Sequence, residues 1–152
     1  MASTLKPRDP AAYDVDFHAW TRRQADRLRA RAHNDIDWEN VAEEIESLGR
    51  SERREIESRL DVLVLHLLKW QFQPEKRKGG WEASIRVQRL DLKRLLSESP
   101  SLAGYPAEVL GFVYERARVT AEEETGLAYE FFPATCPFAI ASVMDDGCLP
   151  EG

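Results

Sequence analysis

Cysteine is scarce in this chain of 152 residues: Cys136 and Cys148 are the only two, and they form no CxxC pair. No disulfide framework can be read from them, and an intracellular, cytoplasmic protein with reduced thiols is the simplest reading. Neither cysteine has a basic neighbour in sequence to lower its thiol pKa, so both read as unreactive. Long apolar runs are missing as well. The longest, Val62 to Leu68, is interrupted by His66 and falls far short of the roughly 18 residues of a membrane helix. The opening MASTLKPRDPAAYD has no apolar stretch of the secretory kind, so no signal segment is expected. Period-two alternation, internal repeats and low-complexity blocks are absent, which leaves strands and solenoids without support. Basic residues are absent after Arg118, where seven acidic ones follow. No stretch carries a catalytic or cofactor fingerprint.

What is present is a strong helical pattern. Hydrophobic residues make up 43% and charged residues 32%, the balance of a soluble globular chain rather than a disordered one. The length suits one domain, and folding at that size removes roughly 68–70% of the extended chain's surface from water. The densest stretch is DVLVLHLLKWQFQP, from Asp61 to Pro74. Ile56, Leu60, Leu63, Val64, Leu67 and Leu68 recur at intervals of three and four, on one face of a helix starting near Ser51. Val62, Leu65 and Phe72 fall on the other side, so this helix must be covered from several directions. Pro74 ends it near Phe72.

In chain order, residues 1–12 read as a mobile lead-in, 13–145 as a single all-α domain and 146–152 as a flexible tail. Asp14 is the expected N-cap of a first helix reaching Arg31, with Phe17, Trp20, Thr21, Gln24 and Leu28 along one side. A second helix capped by Asp37 has Trp38, Val41, Ile45 and Leu48 as its expected buried stripe, with Ile36 and Val41 stapling the cap. Gly49 is expected to turn or kink the chain, because one helix from Asp37 to Phe72 would be roughly 50 Å long, too long for one compact domain. Helices follow over about Trp81–Ser97, with Gln88 amid its apolar side, and Pro106–Thr125, burying Val109, Phe112 and Val113 and closed by Gly126. The aromatic, proline-bearing LAYEFFPATCPF reads as an extended strap, and a short helix spans about Pro137 to Met144. The fold class is therefore a compact all-α bundle of about five main helices with a short C-terminal helix and an extended C-terminal strap.

The motifs YDVDFHAW, DWENVAEEIESLGRSERRE, HLLKWQFQP, GGWEASIRVQR, SPSL, EETGL and FPATCPF stand in this order. Together they resemble a bacterial family catalogued as domain of unknown function number 29, from Tyr13 to about Met144. The resemblance implies a helical bundle and no established activity. The positions that the family pattern picks out are Asp14, Trp20, Glu43, Glu44, Glu46, Gly49, His66, Trp70, Gln71, Pro74, Trp81, Gln88 and Arg89.

Among polar residues, His66 stands out between leucines. A hydrogen-bonded core histidine that meets Gln88 or Glu44 is the simpler reading. The functional alternative places His66 beside Glu44 and Arg50 as catalytic candidates, with Glu43, Glu46 and His66 as the ligands a metal would use. No metal and no cofactor are expected: the Glu-x-x-His and His-x-x-x-His spacings are missing, and the carboxylates of Glu39, Glu43 and Glu46 lie away from their helix's apolar stripe. From Lys69 to Arg94 there are eight basic residues against three acidic. Trp70, Lys76, Arg77, Lys78, Trp81, Gln88 and Arg89 are the binding candidates of that segment, which would stack and neutralise a single-stranded nucleic acid or dock on a protein. Two readings follow. The preferred one is a non-catalytic interaction or regulatory module whose partner is another protein, nucleic acid being the lesser alternative and no membrane being involved. The other is a metal-dependent hydrolase acting on nucleotide or nucleic acid through Glu43, Glu44, Glu46 and His66.

Overall fold

The computed structural model of the protein describes residues 7–151. Met1 to Lys6 of the expected lead-in, and Gly152 of the expected tail, lie outside the described residues. Among the described residues every regular element is helical: α1 (Phe17–Arg29), α2 (Trp38–Phe72), α3 (Gly79–Glu98), α4 (Tyr105–Thr125) and the short α5 (Ile140–Met144), with four 3₁₀ turns between them. The chain is all-α. It divides into two units, the first ending at Arg50 and the second starting at Ser51.

That boundary falls inside α2, which runs for 35 residues without a break. The turn expected at Gly49 is therefore absent, and two expected helices are one. A glycine ends a helix when it takes the left-handed conformation that other residues avoid. Gly126 does so after α4, with φ at 73°, whereas Gly49 keeps a helical φ. Arg50 also pairs with Glu43 and Glu46 at 2.6 and 3.8 Å, ties that span Gly49 along the helix surface. The objection from length assumed that one compact body had to contain the whole helix.

In the first unit α1 is capped by Asp16, whose carboxylate accepts the Ala19 N–H at 2.8 Å. Asp14, the expected cap, pairs instead with Arg8. The helix closes with Arg31 in the left-handed region at φ 54°. This lets the Arg31 and Ala32 N–H groups reach the Leu28 and Arg27 carbonyls, the double closure normally given to glycine. The core here is small: Trp20, Gln24 and Ile36 are buried, and Tyr13 packs edge-on against Trp20 at 4.9 Å between centroids. Asp37 ties it together. Its carboxylate accepts from the Trp20 indole at 3.1 Å and the Asn40 amide at 2.8 Å, while its N–H donates to Gln24 Oε1 at 2.8 Å.

The second unit holds the main core. Ile56, Leu60, Leu63, Val64, Leu67 and Leu68 of α2 are all buried, as their spacing predicts, against Ile85 and Leu92 of α3, Val113 and Ala117 of α4, and Val143 of α5. Leu65 is buried too, and Phe72 meets Phe131 and Phe132 edge-on; Val62 stays at the surface. Phe112, expected inside, is 61% exposed. Two buried arginines replace some of the expected apolar contacts. Arg118 donates to the Tyr129 and Phe132 carbonyls at 3.1 and 2.9 Å, and Arg89 to the Val143 and Ser142 carbonyls at 2.8 and 3.2 Å. The last turn of a helix such as α5, and a strap without a long helix ladder, leave carbonyls with acceptor capacity to spare, and each guanidinium supplies several donors to them. The strap is held in this way, with Tyr114 adding a hydroxyl bond to the Pro133 carbonyl at 2.5 Å. Burial pushes the Tyr114 hydroxyl up to about 12.

Candidate functional site: an apolar groove in the first unit

The amphipathic pattern of α1 and of the first turns of α2 creates two apolar stripes, and in the first unit these stripes border an open groove. Leu28 and Ala25 of α1 form one wall, and Val41, Ile45 and Leu48 of α2 the other, enclosing about 190 Å³. The stripe read from the sequence as buried is thus uncovered: Ile45 is 64% and Leu48 69% exposed, with Trp38 at 53%. Single exposed apolar residues are ordinary, but a contiguous set lining a concavity marks a contact surface.

Glu44 is the charged residue among those lining the groove, while the two helices that border it differ in net charge. Helix α1 contains four arginines (Arg22, Arg23, Arg27, Arg29) against Asp26, net +3. The part of α2 up to Arg50 contains four glutamates (Glu39, Glu43, Glu44, Glu46) against that one arginine, net −3. Glu44 closes one end of the groove, where its carboxylate accepts the Tyr13 hydroxyl at 2.5 Å. That hydrogen bond, followed by burial, raises the Tyr13 pKa. Asp37 shifts the other way: the Asn40 side-chain hydrogen bond, joined by that of the Trp20 indole, holds its carboxyl below the usual carboxylate value against the opposing effect of burial.

Glu44 and Arg50 belong to the first unit and His66 to the second. The His66 ring is partly exposed and its Nδ1 stands 2.7 Å from the Val62 carbonyl of its own helix, while the expected partner Gln88 accepts from Arg59. Glu43 and Glu46 face Arg50. Among the described residues no group of three or more His, Cys, Asp or Glu side chains stands in a metal-holding arrangement.

The basic segment is brought together, but largely on itself. Arg77 lies over the Trp70 ring at 4.9 Å and donates to the Trp70 carbonyl at 2.7 Å. Lys69 and Lys78 stand over Trp81 at 5.1 and 5.7 Å, and Lys69 also pairs with Glu124 at 2.7 Å. Trp81 is buried, Lys76 is exposed, and Gln88 accepts from Arg59 at 3.4 Å. These indole faces are covered by the chain's own cations, so a nucleic-acid base would have to displace them. The sequence reading missed the groove residues Ile45 and Leu48 as surface, and it missed Arg118. The only signal for Arg118 was its place on the Val113, Ala117 and Ala121 face of α4.

A family model, the domain of unknown function DUF29, matches residues 12–149. The chain belongs to that family. The match covers both units of this DUF29 protein, so the groove and the strap-holding arginines lie within the family region. No curated protein and no solved structure matches the chain. Among the described residues no helix is long and apolar enough to cross a membrane.

Proposed function

We propose that this DUF29 protein is a non-catalytic interaction module of the cytoplasm, and that its contact surface is the apolar groove of the first unit, closed by a second copy of the same chain. The observation that carries the reading is the exposed pair Ile45 and Leu48, with half-buried Val41, facing Leu28 across an apolar groove bordered by two helices of opposite net charge. A two-fold pairing places the same patch on both partners and exchanges the walls, setting the arginine-rich α1 of one copy against the glutamate-rich start of α2 of the other. Burial of the aliphatic groups supplies the affinity, while opposite charges select the orientation and suppress wrong pairings.

Sedimentation velocity over a concentration series tests this. The wild-type chain is expected to pass from monomer to dimer. Leu48→Glu is expected to weaken the dimer by about 30-fold or more, the loss typical of a central interface residue. Val119→Glu, at another exposed apolar position, is expected to leave it unchanged. Because Leu48 is exposed, the substitution should move monomer stability by only about 0.5 kcal/mol. A wild-type chain that stays monomeric at every concentration, or a dimer indifferent to both Leu48→Glu and Ile45→Lys, overturns the proposal.

A further inference from the structure

The second unit contains a separate feature that the groove does not explain. Between α3 and the turn after α5 lies a cleft of about 410 Å³, within the range of small-molecule sites. Its C-terminal wall is held in place. The Gly147 N–H donates to Asp145 Oδ1 at 2.9 Å, the Cys148 N–H to the Asp145 carbonyl at 3.1 Å, and Asp146 pairs with Lys93 of α3 at 2.5 Å. Two guanidinium groups line the cleft. Arg86 is exposed, whereas Arg89 is 1% exposed and gives its Nε and Nη2 to the carbonyls of Val143 and Ser142.

Among the described residues no carboxylate forms an ion pair with Arg89 or Arg86. A buried guanidinium usually has such a partner, because its charge is costly to remove from water. Burial draws the Arg89 pKa down, against Cys148, Asp146 and Asp145, which raise it; arginine nevertheless stays charged at neutral pH. The cleft is lined by two cations (Arg86, Arg89) and two carboxylates (Glu82, Asp146), and Asp146 is engaged by Lys93 from outside the lining. The remaining lining is apolar: Ile85, Leu90 and Leu149.

We propose that this cleft binds a small organic monocarboxylate, whose carboxylate meets Arg86 and Arg89 and whose apolar part lies on Ile85, Leu90 and Leu149. Asp146 is already engaged by Lys93, so the two guanidinium groups are left without an ion-pair partner of their own among the described residues. A phosphate monoester, carrying about −1.5 to −2 at neutral pH, would meet stronger repulsion than a monocarboxylate from Glu82 and Asp146 in the same lining. Arginine suits a planar carboxylate, which it meets with paired N–H donors.

The test is a titration of the isotope-labelled full chain with hexanoate, acetate and inorganic phosphate, read at the backbone amides of Gly147, Ile85 and Leu149. Hexanoate is expected to shift these signals saturably. Acetate should shift the same signals with an affinity about tenfold or more lower, since its shorter body leaves the apolar lining uncovered. Phosphate should leave them in place. Arg86→Gln should weaken hexanoate about tenfold by removing a charge-assisted contact, and Leu90→Asp should abolish binding. Both positions are exposed, so an unchanged melting temperature is expected and separates lost binding from lost fold. No saturable shift with hexanoate, a preference for phosphate, or binding unaffected by Arg86→Gln overturns the assignment.

Discussion

Replacing Gly49 with alanine tests the continuity of α2 by the sign of its effect. In a helix interior glycine is less favourable than alanine by about 0.5–1 kcal/mol, because the unfolded glycine has more freedom to lose. A Cβ at Gly49 meets no atom within 4 Å, and its φ is helical. No steric term therefore offsets the gain, and Gly49→Ala should stabilise by about 0.5–1 kcal/mol. For a chain of this size that is about 1–4 °C in melting temperature. A turn at Gly49 with a left-handed glycine gives the reverse, a loss of about 1–2 kcal/mol. Gly126→Ala is the internal standard: its φ of 73° is left-handed, so alanine there should lower the melting temperature. Thermal unfolding followed by far-UV circular dichroism reads both variants. A fall at Gly49 comparable to that at Gly126 would refute an unbroken helix.

Further outcomes follow from the same structure. Arg31 holds a left-handed conformation at φ 54°, so Arg31→Gly should stabilise by about 0.5–1 kcal/mol in urea unfolding. Asp37→Ala removes the acceptor of the Trp20 and Asn40 donors and should cost about 1–2 kcal/mol at neutral pH. Since the folded Asp37 carboxyl is held below the ordinary aspartate value, its contribution is complete above that ordinary value and is lost as pH falls through the lower folded pKa. The difference in urea midpoint between wild type and variant should therefore close below about pH 4. Arg118→Met leaves the Tyr129 and Phe132 carbonyls without their donor and should cost about 2–4 kcal/mol. A loss under about 0.5 kcal/mol would mean that water replaces the guanidinium at no cost.

The core of the second unit was legible because its signal is local. The spacing from Ile56 to Leu68 fixes a face, and those residues are all buried. Pro74 and Gly126 ended their helices as expected, since both act through their own backbone geometry. The start of α2 differs from its expected burial because periodicity identifies an apolar face without saying whether anything covers it. Trp38, Ile45 and Leu48 have the spacing of core residues and are exposed. Gly49 was taken as a terminator because the left-handed state that makes glycine a terminator is not encoded by the residue type alone. Arg89 could not be read as buried because its partners are α5 carbonyls far along the chain, and Arg118 because its partners are backbone carbonyls of the strap, which no side-chain pattern signals. His66 drew attention through its apolar neighbours, yet its ring turns to the Val62 carbonyl one turn back.

The most direct test of the account is an isotope-filtered nuclear Overhauser experiment on an equimolar mixture of labelled and unlabelled chain. The account predicts intermolecular cross-peaks from the Ile45 and Leu48 methyl groups of one copy to Leu28 and Ala25 of the other, disappearing in Leu48→Glu. Cross-peaks confined to the second unit, or none in a sample that sedimentation shows to be dimeric, would contradict it.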